Sequence, residues 1–159
     1  MVSEIIKKYW ADFCRTSGVD IATPYQSWYF GNSPEMALEL AELVIAGTKT
    51  ATASLAKTNE LIPENAPIND GYSVVTGFDG EPLCVIRTAE IRHIPFREVD
   101  PEFAADEGEG DLSLEYWRQV HRDYFEKESA TLGFEFDEAS LVCCERFYLV
   151  FGSENKRDD

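Results

Sequence analysis

The chain has 159 residues, of which 44% are hydrophobic and 13% aromatic, enough apolar material for one domain with its own core. Acidic residues outnumber basic ones 30 to 14, and the formal net charge is −16. This charge argues against a general DNA- or RNA-binding protein, because a long polyanion needs several Lys or Arg contacts to its phosphates and the chain has no basic run. A small uncharged ligand such as a nucleoside remains compatible with it.

Targeting signals and metal motifs are both missing from the sequence. The N-terminal stretch MVSEIIKKYWADF mixes charges with apolar residues, and no apolar run approaches the ~20 residues that a membrane-spanning helix needs. We therefore expect a cytoplasmic protein that does not bind a membrane. The chain has four cysteines, Cys14, Cys84, Cys143 and Cys144. None shows C-x-x-C spacing, so we expect buried reduced thiols, no metal site and no cofactor.

Two helices are predicted in the first third of the chain. Apolar residues recur at helical spacing over residues 3–17, and Gly18 is a plausible stop. A connector then ends in the aromatic cluster Trp28, Tyr29 and Phe30. Ser33 as N-cap, followed by Pro34, begins the next helix, and Gly47 fits the position just past its end.

The remaining elements are predicted to be mainly strands and one long helix. Residues 50–56, TATASLA, favour a strand, and residues 58–71, rich in Pro, Asn and Glu, favour a loop. The runs YSVVTGF and EPLCVIRTAEI flank Asp79-Gly80, which predicts a hairpin. An acidic run over residues 98–111 precedes a helix capped by Asp111 or Ser113. A last strand is expected over residues 140–151.

Helices and strands without regular βαβ alternation predict an α+β fold with a strongly curved antiparallel or mixed sheet. The segments YFG, LVIAGTKTATASL, PLCVIRTAEI and EGEGDLSLEYWRQVHRDYF, in this order, resemble the ASCH domain family. The resemblance implies a PUA-like fold, a small β-barrel with flanking helices and a cleft across one end. Residues 25–152 would then form the ASCH domain, residues 1–24 an N-terminal helix and connector packed on it, and residues 153–159 a mobile tail.

The resemblance also implies chemistry on RNA or nucleosides. One characterised branch of the family hydrolyses N4-acetylcytidine to cytidine and acetate with a lysine, a threonine three residues later and a glutamate. Another branch is reported as a metal-stimulated ribonuclease. Matched by motif onto this sequence, the lysine falls on Lys49, the threonine on Thr52 and the glutamate on Glu109. Glu107 is the alternative glutamate, because the acidic loop can be aligned with either.

Amide hydrolysis needs a nucleophile, a proton acceptor and a group that holds the oxyanion. Either Lys49 is neutral and acts as the base, or it is charged and stabilises the oxyanion while Glu109 moves the proton. Residues 49 and 52 of a regular strand would face opposite sides of a sheet. Lys49 must therefore lie in the turn before the strand, or the strand must carry a bulge. Thr50, on the same face as Thr52, is the alternative reacting hydroxyl.

Further residues are candidates for binding the substrate. Tyr29 and Phe30 could stack a base, with core packing as the competing interpretation, and Arg87 could face the cleft. His121 is interpreted as a hydrogen-bonded core histidine. We expect hydrolysis of the amide of N4-acetylcytidine or a related acylated pyrimidine. The alternatives are a metal-stimulated ribonuclease and a non-catalytic module that binds RNA or nucleotides. The expected partner is a small nucleoside or a short RNA, not DNA, and no oligomeric state is predicted.

Overall fold

The computed structural model describes residues 2–152. Helices and strands alternate irregularly along this part of the chain. In chain order they are α1 (Glu4–Ser17), β1 (Tyr25–Trp28), α2 (Pro34–Ile45), β2 (Ala51–Leu55), α3 (Ala56–Leu61), β3 (Tyr72–Thr76), β4 (Pro82–Pro95), α4 (Pro101–Asp106), α5 (Leu114–Leu132) and β5 (Leu141–Phe151). The predicted mobile tail, residues 153–159, lies outside the described residues. None of the helices within residues 2–152 is long and apolar enough to cross a membrane.

The five described strands form a mixed sheet in the order β1-β3-β4-β5-β2. β1 is parallel to β3, β3 pairs antiparallel with β4 across the predicted hairpin, and β2 pairs antiparallel with β5. The prediction of a PUA-like α+β fold with a mixed sheet is confirmed. Among the described strands the order has two ends, β1 and β2, where the order of a closed barrel would have none.

Local sequence chemistry explains where the main helices begin and end. The hydroxyls of Ser3, Ser33 and Ser113 accept hydrogen bonds from backbone N–H groups at the first turns of α1, α2 and α5, which satisfies donors that a helix leaves unpaired. Ser113 rather than Asp111 is therefore the cap of α5. α1 ends at Gly18, whose φ of 83° is left-handed, a conformation that glycine adopts without steric cost.

Three predicted loops contain regular structure instead. β1 lies at the end of the connector and includes Trp28 of the aromatic cluster, α3 occupies part of the segment after β2, and α4 lies inside the acidic run. β1 is a short strand that pairs with β3, 47 residues along the chain from Tyr25 to Tyr72, so nothing local indicates it. α4 has a local signal, because the Asp100 carboxylate caps it and Pro101 follows; the run of acidic residues obscured that signal.

The chain divides into two compact units, and each has its own apolar core. Among the described residues, the first unit contains residues 2–48, 68–89 and 147–152, and the second contains residues 49–67 and 90–146. The core of the first unit consists of two clusters, built around Phe13 with Val74 and around Val44 with Ile86. The core of the second unit is one cluster in which Phe96, Trp117 and other side chains pack against β2 and β5.

The thiols follow the expectation from the sequence. All four cysteines are buried and free, and burial raises the pKa of Cys84 to about 12. A thiol with so high a pKa stays protonated and unreactive at neutral pH. The cysteines therefore act as small apolar side chains in the two cores.

Candidate functional site

Lys49 lies at the centre of a buried ionic cluster in the second unit. Its side chain is 1% exposed, and its Nζ lies 2.7 Å from Oε1 of Glu107 and 2.7 Å from Oε2 of Glu109. The same ammonium donates to the backbone carbonyl of Glu107 at 3.3 Å. The structure thus brings Lys49 together with both glutamates that the motif left as alternatives.

The conformation of the EGEGD loop explains how both carboxylates reach one ammonium group. α4 ends at Asp106, and Gly108 and Gly110 then adopt left-handed φ values of 72° and 58°. A Cβ at Gly110 would lie 2.3 Å from Cε2 of the Tyr116 ring. Residues with a Cβ rarely adopt these φ values, and at Gly110 the Tyr116 ring leaves no space for a Cβ. The backbone conformation of the loop therefore requires glycine at both positions.

Two side chains of α5 hold Glu107 from the other side. The indole Nε1 of Trp117 donates to Oε2 of Glu107 at 2.8 Å, and Nε2 of His121 lies 3.2 Å from the same oxygen. The rings of Trp117 and His121 stack with centroids 4.2 Å apart. Neither residue was predicted to belong to the site. Their spacing of four residues on one face of a helix that follows the acidic motif is the signal that could have indicated it.

The charge state of Lys49 follows from its surroundings. Burial alone lowers the pKa of an ammonium group, but the carboxylates of Glu107 and Glu109 outweigh burial and raise the pKa of Lys49 above its ordinary value. Lys49 is therefore charged at neutral pH. Of the two roles that the sequence allowed, a neutral lysine base is disfavoured.

The surroundings of Glu107 and Glu109 shift the pKa values of the two carboxyl groups in opposite directions. Burial raises the pKa of Glu107, but Lys49 and His121 outweigh burial and hold it well below its usual range. At Glu109 burial is the dominant effect, and it raises the pKa despite the contact with Lys49. Glu107 is 1% exposed and Glu109 is 19% exposed. Glu107 is thus a buried counter-ion of Lys49, whereas Glu109 remains partly exposed to solvent.

Of the two candidate threonines after Lys49, Thr50 lies immediately before β2 and Thr52 lies within it. Lys49 precedes the strand, which pairs continuously with β5 from Ala51 to Leu55, so the chain contains the expected turn rather than a bulge. Ala51 and Leu55 face the core of the second unit, which places Thr52 on the opposite face of β2. Thr50 is exposed, and its backbone N–H donates to the carbonyl of Asp106 at 2.8 Å. The catalytic role of either hydroxyl stays a prediction.

The three predicted substrate-binding residues belong to the first unit. Tyr29 is exposed and packs against Phe78 with ring centroids 4.9 Å apart. Phe30 is buried in the apolar core. Nε of Arg87 donates to the carbonyl of Asp70 at 3.1 Å. These contacts account for the packing of Phe30 and the orientation of Arg87, and the binding of a substrate by any of the three stays a prediction.

No metal site is evident in the part of the chain that the structure describes. Within residues 2–152, no three His, Cys, Asp or Glu side chains are grouped in a way that could hold a metal ion. In the cluster itself, the Lys49 ammonium occupies the place between two carboxylates that a cation would take.

Comparisons with known proteins agree with this architecture. A model of the ASCH domain family matches residues 26–151. The crystal structure of an ASCH domain from Lactobacillus crispatus JV V101 is 31% identical and superposes with a TM-score of 0.86, covering 94% of this chain and 96% of that chain. A protein from Enterococcus faecalis V583 is 29% identical with a TM-score of 0.85, covering 98% of this chain and 94% of that chain. None of the curated proteins compared with the chain matches it. With a family model matching most of its length, the chain belongs to the ASCH domain family.

Proposed function

We propose that this protein hydrolyses the amide of an acylated pyrimidine nucleoside such as N4-acetylcytidine. The observation that carries the proposal is the contact between Lys49 and Glu109. A buried, charged ammonium lies 2.7 Å from a carboxylate that is still 19% exposed and whose pKa is raised, chiefly by burial. Amide hydrolysis requires a group that stabilises the oxyanion and a group that takes up and releases a proton. The charged Lys49 can do the first, and the Glu109 carboxylate can do the second.

The reaction balances with these two groups and one water molecule. Glu109 accepts a proton as the water oxygen bonds to the acyl carbon, and the negative charge that develops on the acyl oxygen is stabilised by Lys49. The carbon–nitrogen bond then breaks, and the exocyclic nitrogen of the pyrimidine leaves with the proton from Glu109. The products are cytidine and acetate, and the loss of a proton from acetic acid to solvent completes the cycle.

Thr52 would enter this scheme as the nucleophile in place of water. Its hydroxyl would attack the acyl carbon, and water would release the acyl group from the resulting ester in a second step. Both versions use Glu109 for proton transfer. The Thr52→Val variant separates them, because only the covalent route requires the hydroxyl.

The charge of the protein supports a small substrate. With a net charge of −16, the chain repels a long polyanion but not a neutral nucleoside. Unlike a phosphodiester, an acylated nucleoside brings no charge of its own into the cluster. The family resemblance points to the same substrate class.

The test is the release of cytidine from N4-acetylcytidine by the purified protein and by Lys49→Ala and Glu109→Gln variants. Loss of either group is expected to reduce kcat by about 100-fold or more. Lys57→Ala and Glu60→Gln are matched controls from an exposed ion pair of the same unit, 53% and 70% exposed, and should keep the activity of the unaltered protein. Full activity of a folded Lys49→Ala variant would overturn the proposal.

Absence of turnover would favour one of the two other functions implied by the family. Shortening of a defined oligonucleotide with manganese, lost in the Lys49→Ala variant, would indicate a ribonuclease. Saturable binding of a nucleotide or RNA without turnover would indicate a binding module, and steep weakening by salt would show that it contacts phosphates.

A further inference from the structure

His121 is held in an environment that specifies its protonation. Its Nδ1 lies 2.9 Å from the backbone carbonyl of Trp117, which can only accept a hydrogen bond, so Nδ1 carries a proton. Its Nε2 lies 3.2 Å from Oε2 of Glu107, an ionised carboxylate that also only accepts. Both ring nitrogens thus face oxygens that only accept, which favours the doubly protonated, cationic ring. Its stacking on the indole of Trp117 favours this state further.

The charged groups around His121 form a closed set. Lys49 faces Glu107 from the turn before β2, Glu109 approaches from the EGEGD loop, and Cys144 faces the cluster from β5. Burial raises the pKa of the Cys144 thiol to about 12, so that this group stays neutral. The remaining four groups are two cations and two anions, and their charges sum to zero only while His121 carries both protons.

We propose that His121 is a positioning residue whose doubly protonated ring shares Glu107 with Lys49 and thereby decides whether Glu109 is free to accept a proton. Loss of the His121 charge leaves a net charge of −1 in a buried cluster. Glu109 is the carboxyl group whose pKa is already raised, mainly by burial, and the charge of His121 acts to lower it. Without that charge Glu109 keeps its proton to higher pH and cannot serve as the base there.

The charge on His121 also affects Lys49. Oε2 of Glu107 accepts a hydrogen bond from Trp117 and lies 3.2 Å from Nε2 of His121, while Oε1 accepts a hydrogen bond from Lys49. When His121 is neutral, the charge of Glu107 is balanced by Lys49 alone. Less of the positive field of Lys49 is then available to a developing oxyanion. The effect of His121 on the reaction rests on the proposed function, whereas the coupling of its charge to Glu109 does not.

The first measurement follows the ring nitrogens of the unaltered protein by 15N NMR as the pH is changed. The chain has two histidines, and the exposed His93, assigned with a His93→Gln variant, provides the reference. Both nitrogens of His121 should be protonated at neutral pH, and the ring should lose a proton only above the ordinary histidine range. A neutral His121 ring at pH 6 would overturn the proposal without any variant having to fold.

The second measurement follows the side-chain carboxyl carbon of Glu109, assigned with Glu109→Gln, in His121→Gln and His121→Phe. The glutamine keeps a hydrogen-bond donor but no charge, and the phenylalanine keeps only the ring. If the charge is responsible, the Glu109 titration moves to higher pH in both variants. An unchanged titration in both, or a shift in His121→Phe alone, would overturn the proposal, the latter because it assigns the effect to packing.

Enzyme kinetics then separate this inference from the proposed function. With turnover of N4-acetylcytidine, the acidic limb of the kcat/KM–pH profile should move to higher pH in both His121 variants and not in His93→Gln. A shift of the carboxyl titration in a protein without turnover would support the coupling and reject the amidohydrolase. If the Glu109 titration moves in the His121 variants but the acidic limb of their kcat/KM–pH profiles does not, the role of His121 in the reaction is rejected.

Discussion

Both units of the chain have an apolar core, but among the described residues only the second also buries charged side chains. Within residues 2–152, all three buried charged side chains, Lys49, Glu107 and Glu145, belong to the second unit, and the buried polar side chains of the first unit are neutral hydroxyls. Apolar burial stabilises a core at every pH. A buried ionic cluster recovers the cost of removing charges from water only while all its members are present. The stability of the second unit should therefore depend on single side chains and on pH to a degree that the first does not.

The largest expected effect comes from removing the cation at the centre of the cluster. Lys49→Met leaves the buried carboxylates of Glu107 and Glu109 without their shared partner, and we expect a loss of about 3–5 kcal/mol in the free energy of unfolding. Lys57→Met removes an exposed lysine whose Nζ lies 4.0 Å from Glu60, and should cost less than about 0.5 kcal/mol. Chemical denaturation measures both, and equal stability of the two variants would contradict the contrast between the units.

A smaller loss of stability is expected when a buried tryptophan is replaced in either unit, and the two losses should differ. Trp117→Phe removes a donor to the Glu107 carboxylate, while Trp10→Phe removes a donor to the backbone carbonyl of Ile21 at 3.2 Å. Both indoles are buried. A hydrogen bond to a charged group contributes more, so we expect losses of about 1.5–3 kcal/mol for Trp117 and about 0.5–1.5 kcal/mol for Trp10. Thermal or denaturant unfolding that gives the reverse order would show that packing outweighs charge here.

The smallest expected effect is a loss of stability on the alkaline side. The pKa of His121 is raised in the folded protein, because Glu107 outweighs the burial that would lower it. A raised pKa contributes stability that is complete below the unfolded value of about 6.5 and is lost as the pH rises through the folded value. The free energy of unfolding should fall over this window in the unaltered protein and in His93→Gln, and less in His121→Gln. Parallel profiles for all three would contradict the prediction. The loss is modest because Glu107 keeps Lys49 and Trp117.

The elements that were predicted correctly are those with local causes. Ser33 with Pro34 specifies the start of α2, and Asp79-Gly80 specifies the hairpin of β3 and β4, because caps and turns involve neighbouring residues only. β1 was missed because its partner strand lies far along the chain. The pairing of Lys49 with Glu109 came from the family resemblance, since no local pattern connects residues 60 apart. His121 was assigned to the core because an apolar helix face has the same sequence pattern whether or not a buried carboxylate contacts it.

The long sequence separation of the ionic contacts also has a consequence for folding. Lys49 lies 58 residues from Glu107 and 60 residues from Glu109. Closing chain segments of this length costs conformational entropy before the ionic contacts form. We therefore expect local elements such as α5 and the β3–β4 hairpin to form first. We then expect the cluster to be completed after the rate-limiting step, so that its contacts act mainly on the rate of unfolding. The same charges that would carry the chemistry would then also set the lifetime of the folded protein.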